Sequence, residues 1–163
     1  MATMAATPYD ITASFFFFDD FRDFEEKASE HKNEHGDHVE EYEIQLVDGD
    51  SDELQFAKIY EPDQANLEDW FDHLHDYELL DDHQKLAIDY LVDDRSMSFI
   101  DVWEQFPDVQ IIEGTPEDYA NELLEEGAFG ELSEIAWRYF DTEALGRDLD
   151  LNGDIDTYEK DGR

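Results

Sequence analysis

Four side chains with oxygen ligands near the end of the sequence have the spacing of a calcium-binding loop. The segment fits the pattern D-x-[DN]-x-[DN]-G-x5-E, with its ligands at Asp148, Asp150, Asn152 and Glu159. Ca²⁺ takes carboxylate and amide oxygens of this kind. Only a few residues follow Glu159, which predicts no exiting helix, so a turn between a helix and an edge strand is the competing interpretation. A calcium-binding module is one hypothesis for this segment.

Two histidines in the first quarter of the chain have the spacing of an inverted zinc-protease motif. His31, Glu34 and His35 fit H-x-x-E-H, which would place both imidazoles on one face of a helix. No partner helix offers an obvious third ligand. We therefore interpret these residues as solvated groups at a helix end. The sequence predicts no catalytic residues, no cofactor and no enzyme activity.

The most informative property of the sequence is its negative charge. It contains 47 Asp and Glu against 10 Lys and Arg, for a formal net charge of −37. Repulsion on this scale opposes compaction and exceeds what solubility needs, so we expect a strongly basic partner to use it. Direct nucleic acid binding is excluded, because a phosphate backbone would be repelled. A salt-adapted globular domain with an acidic surface is an alternative interpretation.

The composition predicts a folded, soluble, cytoplasmic protein. Disorder requires few aromatic residues, whereas this chain has 12 Phe, 8 Tyr and 3 Trp, and 40% of its residues are hydrophobic. It has no cysteine, so we expect no disulfide and no thiolate metal site. The first residues form neither a basic nor a long apolar segment, and Phe15 to Phe18 is too short for a signal core or a membrane span.

The elements that would carry this charge form an α+β fold, which we expect to be an elongated chain of three small modules. The first module, residues 9–61, combines β-branched and aromatic runs with one helical apolar stripe. The predicted order is β-α-β-β. The strands are expected at Ile11–Phe18, Val39–Val47 and Leu54–Tyr60, and the helix at Asp19–His35.

The second module, residues 62–106, is predicted to be an acidic helical bundle. Apolar residues recur at helical spacing in Gln64–Tyr77, Asp82–Val92 and Ser98–Phe106. From Glu61 to Asp94 there are twelve carboxylates and one lysine. These helices would therefore have an acidic outer surface.

The third module, residues 107–163, is predicted to be mixed α/β. Thr115 is a helix N-cap, Pro116 suits the first turn, and Gly127 is the expected C-cap. Further helices are expected at Ser133–Arg138 and from Asp141 to Leu149, and short strands at Val109–Ile112 and Ile155–Tyr158.

The amount of charge is of the right order for a protein that imitates duplex DNA. B-form DNA carries about one negative charge per 1.7 Å of its axis. The 37 net charges therefore correspond to roughly 18 base pairs, or about 60 Å of duplex. Three modules laid end to end would reach a comparable length. Such a mimic would enter a basic DNA channel and exclude DNA from it.

Six short segments of the chain form a recognisable combination, and four of them lie in the C-terminal third. The segments are Glu113–Ala120, Glu122–Gly127, Phe129–Glu131, Tyr139–Leu149, Asp101–Trp103 and Glu41–Ile44. This combination resembles the ArdA family of antirestriction proteins. The resemblance extends from about Ile11 to Asp156 and is strongest from Asp118 to Asp154.

The resemblance implies a fold and a function. ArdA proteins are elongated, three-domain DNA mimics that dimerise through the C-terminal domain. They occupy the DNA-binding groove of type I restriction-modification enzymes, and plasmids, transposons and phages carry them to protect incoming DNA. The expected partners are the methyltransferase and specificity subunits of such an enzyme and a second copy of this chain.

Under this hypothesis the residues that contact the partner are surface carboxylates spread along the chain. They are Glu25, Glu26, Glu68, Asp69, Asp72, Asp76, Asp81, Asp82, Asp89, Asp93, Asp94, Glu117, Glu122 and Glu126. The family's antirestriction motif corresponds to about Leu123–Ile135, which we expect to contribute to the dimer contact or to local packing. Its candidate residues are Leu123, Leu124, Gly127, Phe129, Gly130 and Ile135.

Two segments depart from the family pattern. Phe15–Phe18 is more aromatic than the corresponding family strand, and Met1–Pro8 matches no part of the family that we can place. The main alternative function is also mimicry, directed at another DNA-binding target such as a CRISPR effector, a nucleoid protein or a transcription factor.

Overall fold

The computed structural model describes residues 1–130 and 132–160. Within them the chain forms eight α-helices and one three-stranded antiparallel sheet, so the predicted mixture of helix and strand is confirmed. Two compact units are present, Met1–Pro107 and Asp108–Arg163, called unit 1 and unit 2 below. The division into three modules at residues 9–61, 62–106 and 107–163 stays a prediction.

Unit 1 contains all three strands and five of the helices. The strands are β1 (Thr3–Pro8), β2 (Phe16–Phe18) and β3 (Tyr42–Asp48). The helices are α1 (Phe21–Glu30), α2 (Ser51–Ile59), α3 (Leu67–Glu78), α4 (Asp82–Asp93) and α5 (Phe99–Gln105), followed by a 3₁₀ turn at Phe106–Asp108.

The sheet has the order β2-β1-β3, so its central strand is the segment that the sequence left unassigned. In the register, Met4 lies opposite both Phe18 and Leu46, and Ala6 lies opposite Phe16 and Ile44. Met4 and Ala6 are fully buried. Small side chains in the central strand leave room for the large aromatic side chains of β2.

The turn that follows β1 shortens the strand predicted at Ile11–Phe18. The Asp10 carboxylate accepts hydrogen bonds from the Thr12 backbone N–H (2.9 Å), the Thr12 hydroxyl (2.7 Å) and the Asn33 side-chain amide (2.8 Å). These bonds favour the charged form and lower the pKa of Asp10 to about 2, with the Asn33 bond as the largest cause. Only Phe16–Phe18 pairs as a strand.

Strand β2 forms one edge of the sheet, and α1 contacts its backbone. The Lys27 ammonium donates to the Phe17 carbonyl oxygen at 2.7 Å and to the Asp23 carboxylate at 2.6 Å. Phe16 and Phe18 face inward toward Phe24 and Tyr42, whereas Phe17 is half exposed.

The segment predicted as a strand at Leu54–Tyr60 is instead helix α2. Asp50 is its N-cap and forms a capping box with Glu53: the Asp50 carboxylate accepts from the Glu53 backbone N–H, and the Glu53 carboxylate accepts from the Asp50 N–H at 2.7 Å. This box satisfies two backbone donors that a helix start leaves unpaired. The resulting element order of this part of the chain is β-β-α-β-α rather than β-α-β-β.

The core of unit 1 is aromatic. Phe56 and Trp70 are fully buried and Tyr77 is 1% exposed. The Phe56 ring lies 5.4 Å from that of Trp70 and 5.2 Å from that of Tyr77, measured between centroids. The Trp70 indole N–H donates to the Tyr60 carbonyl oxygen at 2.7 Å, so this buried polar group has a partner.

Unit 2 is built from α6 (Pro116–Glu125), α7 (Glu134–Arg138) and α8 (Thr142–Asn152). Thr115 caps α6 as predicted, in a capping box with Asp118. Helices α6 and α8 approach closely at Gly146. A Cβ atom at that position would lie 2.5 Å from the carbonyl carbon and oxygen of Pro116, so only glycine fits.

The two strands predicted in this part of the chain are wrong. Val109–Ile112 and Ile155–Tyr158 are irregular, and unit 2 has no strand among its described residues, 108–130 and 132–160. An apolar run forms a strand only where another strand satisfies its backbone groups.

None of the helices in the described chain is both long enough and apolar enough to span a bilayer.

Candidate partner-binding surface

The negative charge of this chain lies at its surface. Of the 45 acidic residues that the structure describes, 40 are exposed, three are partly buried and two, Glu53 and Asp89, are buried. Because exposed carboxylates remain hydrated and charged at neutral pH, the charge is available to a partner.

Helix α3 has the best-defined group of these carboxylates. Its buried stripe consists of Leu67, Trp70, Leu74 and Tyr77. Four of its five exposed carboxylates lie on one side of the helix, those of Glu68, Asp69, Asp72 and Asp76, and are called the α3 carboxylates below; the fifth is Glu78. The first and last of them are about 12 Å apart along the axis, at about 1.5 Å per residue. Four charges over this length are comparable with one phosphate per about 3.4 Å on one DNA strand.

The α3 carboxylates are not neutralised within the described chain, where none of them forms an ion pair or accepts a side-chain hydrogen bond. The nearby His73 ring bonds to the Asp69 backbone carbonyl oxygen, at 2.7 Å, rather than to a carboxylate. All four are therefore free to contact cations of a partner.

Asp89 does not belong to this surface, which corrects its assignment as a phosphate-mimicking residue. It is 8% exposed and accepts a hydrogen bond from the Gln55 side-chain amide at 2.7 Å. On the same pair of helices, the Lys85 ammonium lies 2.7 Å from the Asp52 carboxylate. Burial, with Asp89 and Asp52 as smaller causes, raises the pKa of Tyr77. Asp89 therefore stabilises the packing of α4 on α2.

The remaining predicted carboxylates are exposed, although several also have local partners. Asp81 caps α4, Asp94 lies 3.8 Å from Arg95, and Glu26 lies 4.0 Å from Arg22. Exposed pairs of this kind are weak and leave most of the charge effective. Carboxylates that form no ion pair within the described part of the chain include Glu25, Asp82, Glu117, Glu122 and Glu126.

The segment Leu123–Ile135 combines packing residues with exposed ones. Leu124 is 3% exposed and belongs to the core of unit 2, which is the packing role of the two roles expected for this segment; a dimer contact by the segment stays a prediction. Leu123 is partly buried, and Gly127 and Gly130 have φ of +78° and +82°, where glycine is favoured. Ile135 is 70% exposed and Phe129 is half exposed. Glu131, quoted above for the family resemblance, lies outside the described residues.

The calcium-loop assignment is wrong in this structure. Asp148, Asp150 and Asn152 lie in α8, and Gly153 is its left-handed C-cap. Residues two apart on a helix point in different directions, so the three side chains do not converge as they would in a loop. The pattern is accounted for by the end of a helix. Glu159 is exposed and lies beyond that end.

The histidines of the H-x-x-E-H pattern do not share a helix. Helix α1 ends before His31, whose Nδ1 lies 3.0 Å from the Tyr42 hydroxyl and whose ring stacks on that of Tyr42. The following residues turn back, with a bridge between Lys32 and His38. The first histidine of the pattern therefore has a structural role. The interpretation of the pattern as solvated residues at a helix end holds only in part.

One buried acid was missed by the sequence analysis. Glu53 is 2% exposed and lies 3.0 Å from the amine of Met1. Its carboxylate oxygens are within 4.8 Å of those of Asp50 and Glu78. Because Glu53 is already engaged by the amine and by the Asp50 N–H, we assign this group a structural role. The spacing Asp50-x-x-Glu53 is the signal that would have revealed it.

A group of aromatic side chains on unit 1 was also missed. Tyr60 and Phe99 stack with ring centroids 3.9 Å apart and planes at 3°. The Trp103 ring lies 5.4 Å from Phe99 at a tilt of 30°, and the His73 ring stands edge-on to all three. These four residues, called the aromatic ladder below, are each partly exposed. In the sequence, Phe99 and Trp103 belong only to the apolar pattern of the helix predicted at Ser98–Phe106.

Comparison with known proteins gives one match. The family model described as "Antirestriction protein (ArdA)" matches residues 9–162, which is nearly the whole chain. Neither the search of curated proteins nor the search of solved structures found a significant match.

Proposed function

The chain belongs to the ArdA family of antirestriction proteins, and we propose that it inhibits type I restriction-modification enzymes by occupying their DNA-binding groove. An antirestriction role against restriction-modification enzymes, in general by DNA mimicry, comes with membership of this family. The choice of type I enzymes, and of their methyltransferase and specificity subunits as the contact, is our proposal. The site of action would be the cytoplasm, where a mobile genetic element carrying the gene meets the host's restriction enzymes.

The observation that carries this proposal is the exposed carboxylate surface, best defined on α3. Four charges along about 12 Å of helix, none of them neutralised by a cation in the described chain, supply a phosphate-like spacing. A groove lined by Lys and Arg would attract this surface from a distance and bind it quickly. Because the groups act by charge, no catalytic residue is needed.

We also propose that the protein works as a homodimer formed through unit 2. Several large apolar side chains of this unit are exposed, namely Ile135 (70%), Trp137 (42%), Tyr139 (85%) and Leu151 (75%). Exposed apolar residues grouped on a small unit favour association. Burial of this group between two copies would extend the acidic surface through a symmetric pair.

A competition titration tests the inhibition directly. A fluorescently labelled duplex is bound to a purified type I methyltransferase, and the protein is added at several salt concentrations. Unlabelled duplex and poly-glutamate of equal total charge serve as positive and negative controls. We expect stoichiometric displacement of the duplex by the protein, weakening as salt rises.

The poly-glutamate control separates shaped mimicry from bulk charge. If poly-glutamate displaces the duplex as well as the protein does, the arrangement of the carboxylates has no role. Absence of displacement at low salt contradicts the type I assignment. The same assay with a CRISPR effector or a nucleoid protein then tests the other DNA-binding targets.

A further inference from the structure

We propose that the aromatic ladder of unit 1 is a docking site for an arginine side chain of the basic partner. The identity of the partner that supplies this arginine rests on the proposed function. The existence of the site does not rest on it. Its ligand is a guanidinium group, recognised by stacked rings and by carboxylates beside them.

The ladder has the form of a stacked surface rather than of a closed core. Tyr60 and Phe99 are stacked in parallel, Trp103 lies next to Phe99 at a tilt of 30°, and each ring is only partly buried. By contrast, the neighbouring Phe56 and Val102 are fully buried. This row of rings presents edges and faces over a length that suits a planar cation with a methylene stem.

Within the described part of the chain, the ladder has no hydrogen-bond acceptor for its indole N–H and no cation over its rings. The Trp103 indole N–H donates to no group in the part of the chain that the structure describes. The cation–π contacts found there involve Tyr77 and Tyr90, so no cation of the described residues, 1–130 and 132–160, lies over the ladder rings. The surface is thus available to a cation from outside.

Carboxylates border the same rings. Asp69 precedes His73 by one helical turn on α3, so both lie on one face of that helix. Asp69 and Asp63 both raise the pKa of the Tyr60 hydroxyl, although burial is the larger cause, and this places their charge close to that ring. Both carboxylates are exposed. A guanidinium lying against the ladder would pair with Asp69.

Arginine fits this combination better than lysine does. The guanidinium is planar, stacks on aromatic rings and is weakly hydrated, whereas the lysine ammonium is a strongly hydrated point charge. Carboxylates also pair with arginine through two hydrogen bonds, but the rings supply a further preference that a Trp103 variant removes. The chemistry of the ladder therefore predicts a preference that phosphate mimicry alone does not.

The test uses hexa-arginine and hexa-lysine peptides as probes, titrated into the full-length protein at several salt concentrations by calorimetry. We expect the wild-type protein to bind hexa-arginine about 2- to 5-fold more tightly than hexa-lysine through the ladder. Trp103→Leu should abolish this difference, and the dependence of binding on salt should stay as in the wild type. Asp69→Asn should lower both affinities and reduce the salt dependence.

Matched variants control for general effects. Phe15→Leu removes another exposed ring of unit 1, 57% exposed and outside the ladder, and Asp37→Asn removes an exposed carboxylate from the turn after α1. Phe15→Leu should keep the preference for arginine. Equal losses for both peptides in Trp103→Leu, or a preference that survives this change, would overturn the proposal.

A fluorescence measurement covers the case in which Trp103→Leu does not fold. In a Trp137→Phe variant the remaining tryptophans are Trp103 and the fully buried Trp70. Acrylamide therefore quenches Trp103 selectively. Hexa-arginine should protect this fluorescence and hexa-lysine should not, and unchanged quenching in both would contradict the site. If the ladder binds arginine but the protein fails to displace duplex from a type I enzyme, the proposed function is wrong and the site stands.

Discussion

Unit 1 and unit 2 both have exposed apolar side chains, but among the described residues the large side chains that are less than 2% exposed all lie in unit 1. Unit 1 surrounds Phe56, Trp70 and Tyr77 with four helices, and these three side chains are at most 1% exposed. Unit 2 leaves Ile135 and Tyr139 at the surface. Both units are acidic, but unit 1 has a complete core of its own, whereas the exposed apolar residues of unit 2 favour association. Small domains bury a smaller share of their surface, which makes a partner copy more valuable to unit 2.

The largest expected effect breaks the core of unit 1. Trp70→Ala removes a fully buried ring and its hydrogen bond to the Tyr60 carbonyl, and should lower the free energy of unfolding by about 3–5 kcal/mol. Trp137→Ala, at a side chain 42% exposed, should cost less than about 1 kcal/mol in a dilute sample. Urea titration followed by circular dichroism measures both. Similar losses in the two variants would refute the contrast between the units.

The next effect concerns the charges of unit 1. Replacing the four α3 carboxylates by Lys should weaken displacement of DNA on the order of 100-fold, because four attractive contacts become repulsive. Replacement by Gln and Asn of similar shape should give an intermediate loss. Both variants should remain dimeric, since the α3 carboxylates lie in unit 1. Normal inhibition by the Lys variant would contradict the mimicry assigned to this helix.

The third change tests the packing inside unit 2. Gly146→Ala places a Cβ atom 2.5 Å from the backbone carbonyl of Pro116, which cannot move aside as a side chain would. We expect a loss of about 1–3 kcal/mol, seen by hydrogen exchange in α6 and α8. Gly153→Ala is the control on the same helix: it meets no atom within 4 Å but keeps φ at +76°. A smaller loss in Gly146→Ala than in this control would show that α6 and α8 do not pack as described.

A fourth change addresses the exposed residues of unit 2. Ile135→Asp, at a side chain 70% exposed, should leave the monomer folded and raise the dimer dissociation constant by about 10-fold or more. Analytical ultracentrifugation over a range of concentrations measures this. The same substitution at Ile11, 97% exposed in unit 1, is the control and should not change the dimer. An unchanged dimer in Ile135→Asp would remove this side chain from the interface.

The smallest effect is a pH dependence in unit 1. The folded pKa of Asp10, about 2, lies below its ordinary value. The stability that this carboxylate contributes is therefore present above the ordinary value near 4 and is lost as the pH falls toward about 2. Asp10→Asn should flatten the unfolding free energy over that window, measured by urea titration at dilute concentration. The control variant Asp37→Asn should keep the pH dependence of the wild type. If the unfolding free energy of Asp10→Asn changes with pH as steeply as that of the wild type, Asp10 does not cause the dependence.

The sequence predicted the helices of this fold better than its strands. Helices α3 to α6 lie within a few residues of their predicted ranges, because caps such as Thr115 and apolar stripes such as that of α3 are local signals. Strand β1 has no such signal, since an alanine such as Ala6 suits a central strand only when large residues, here Phe16 and Ile44, lie on either side. Helix α2 was missed because its leucine and aromatic residues suggested a strand, and its capping box was overlooked.

The candidate surface shows the same limit. The exposed side of α3 followed directly from its helical period, and the exposed carboxylates there agree with that prediction. The burial of Asp89 depends on Gln55, 34 residues away in the sequence. The aromatic ladder likewise joins residues of α3 and α5 to Tyr60. Contacts between distant segments decide which residues of an element face solvent, and the pattern of one segment does not contain them.

The hydrogen bond from Lys27 to the Phe17 carbonyl has a consequence for the solubility of the chain. A run of four phenylalanines at a sheet edge is a template for adding strands from other molecules, and such addition leads to aggregation. Strand β2 is only three residues long, and the Lys27 ammonium occupies one of its free acceptors. In a protein with ten basic residues, one of them thus protects the segment most prone to form intermolecular sheet.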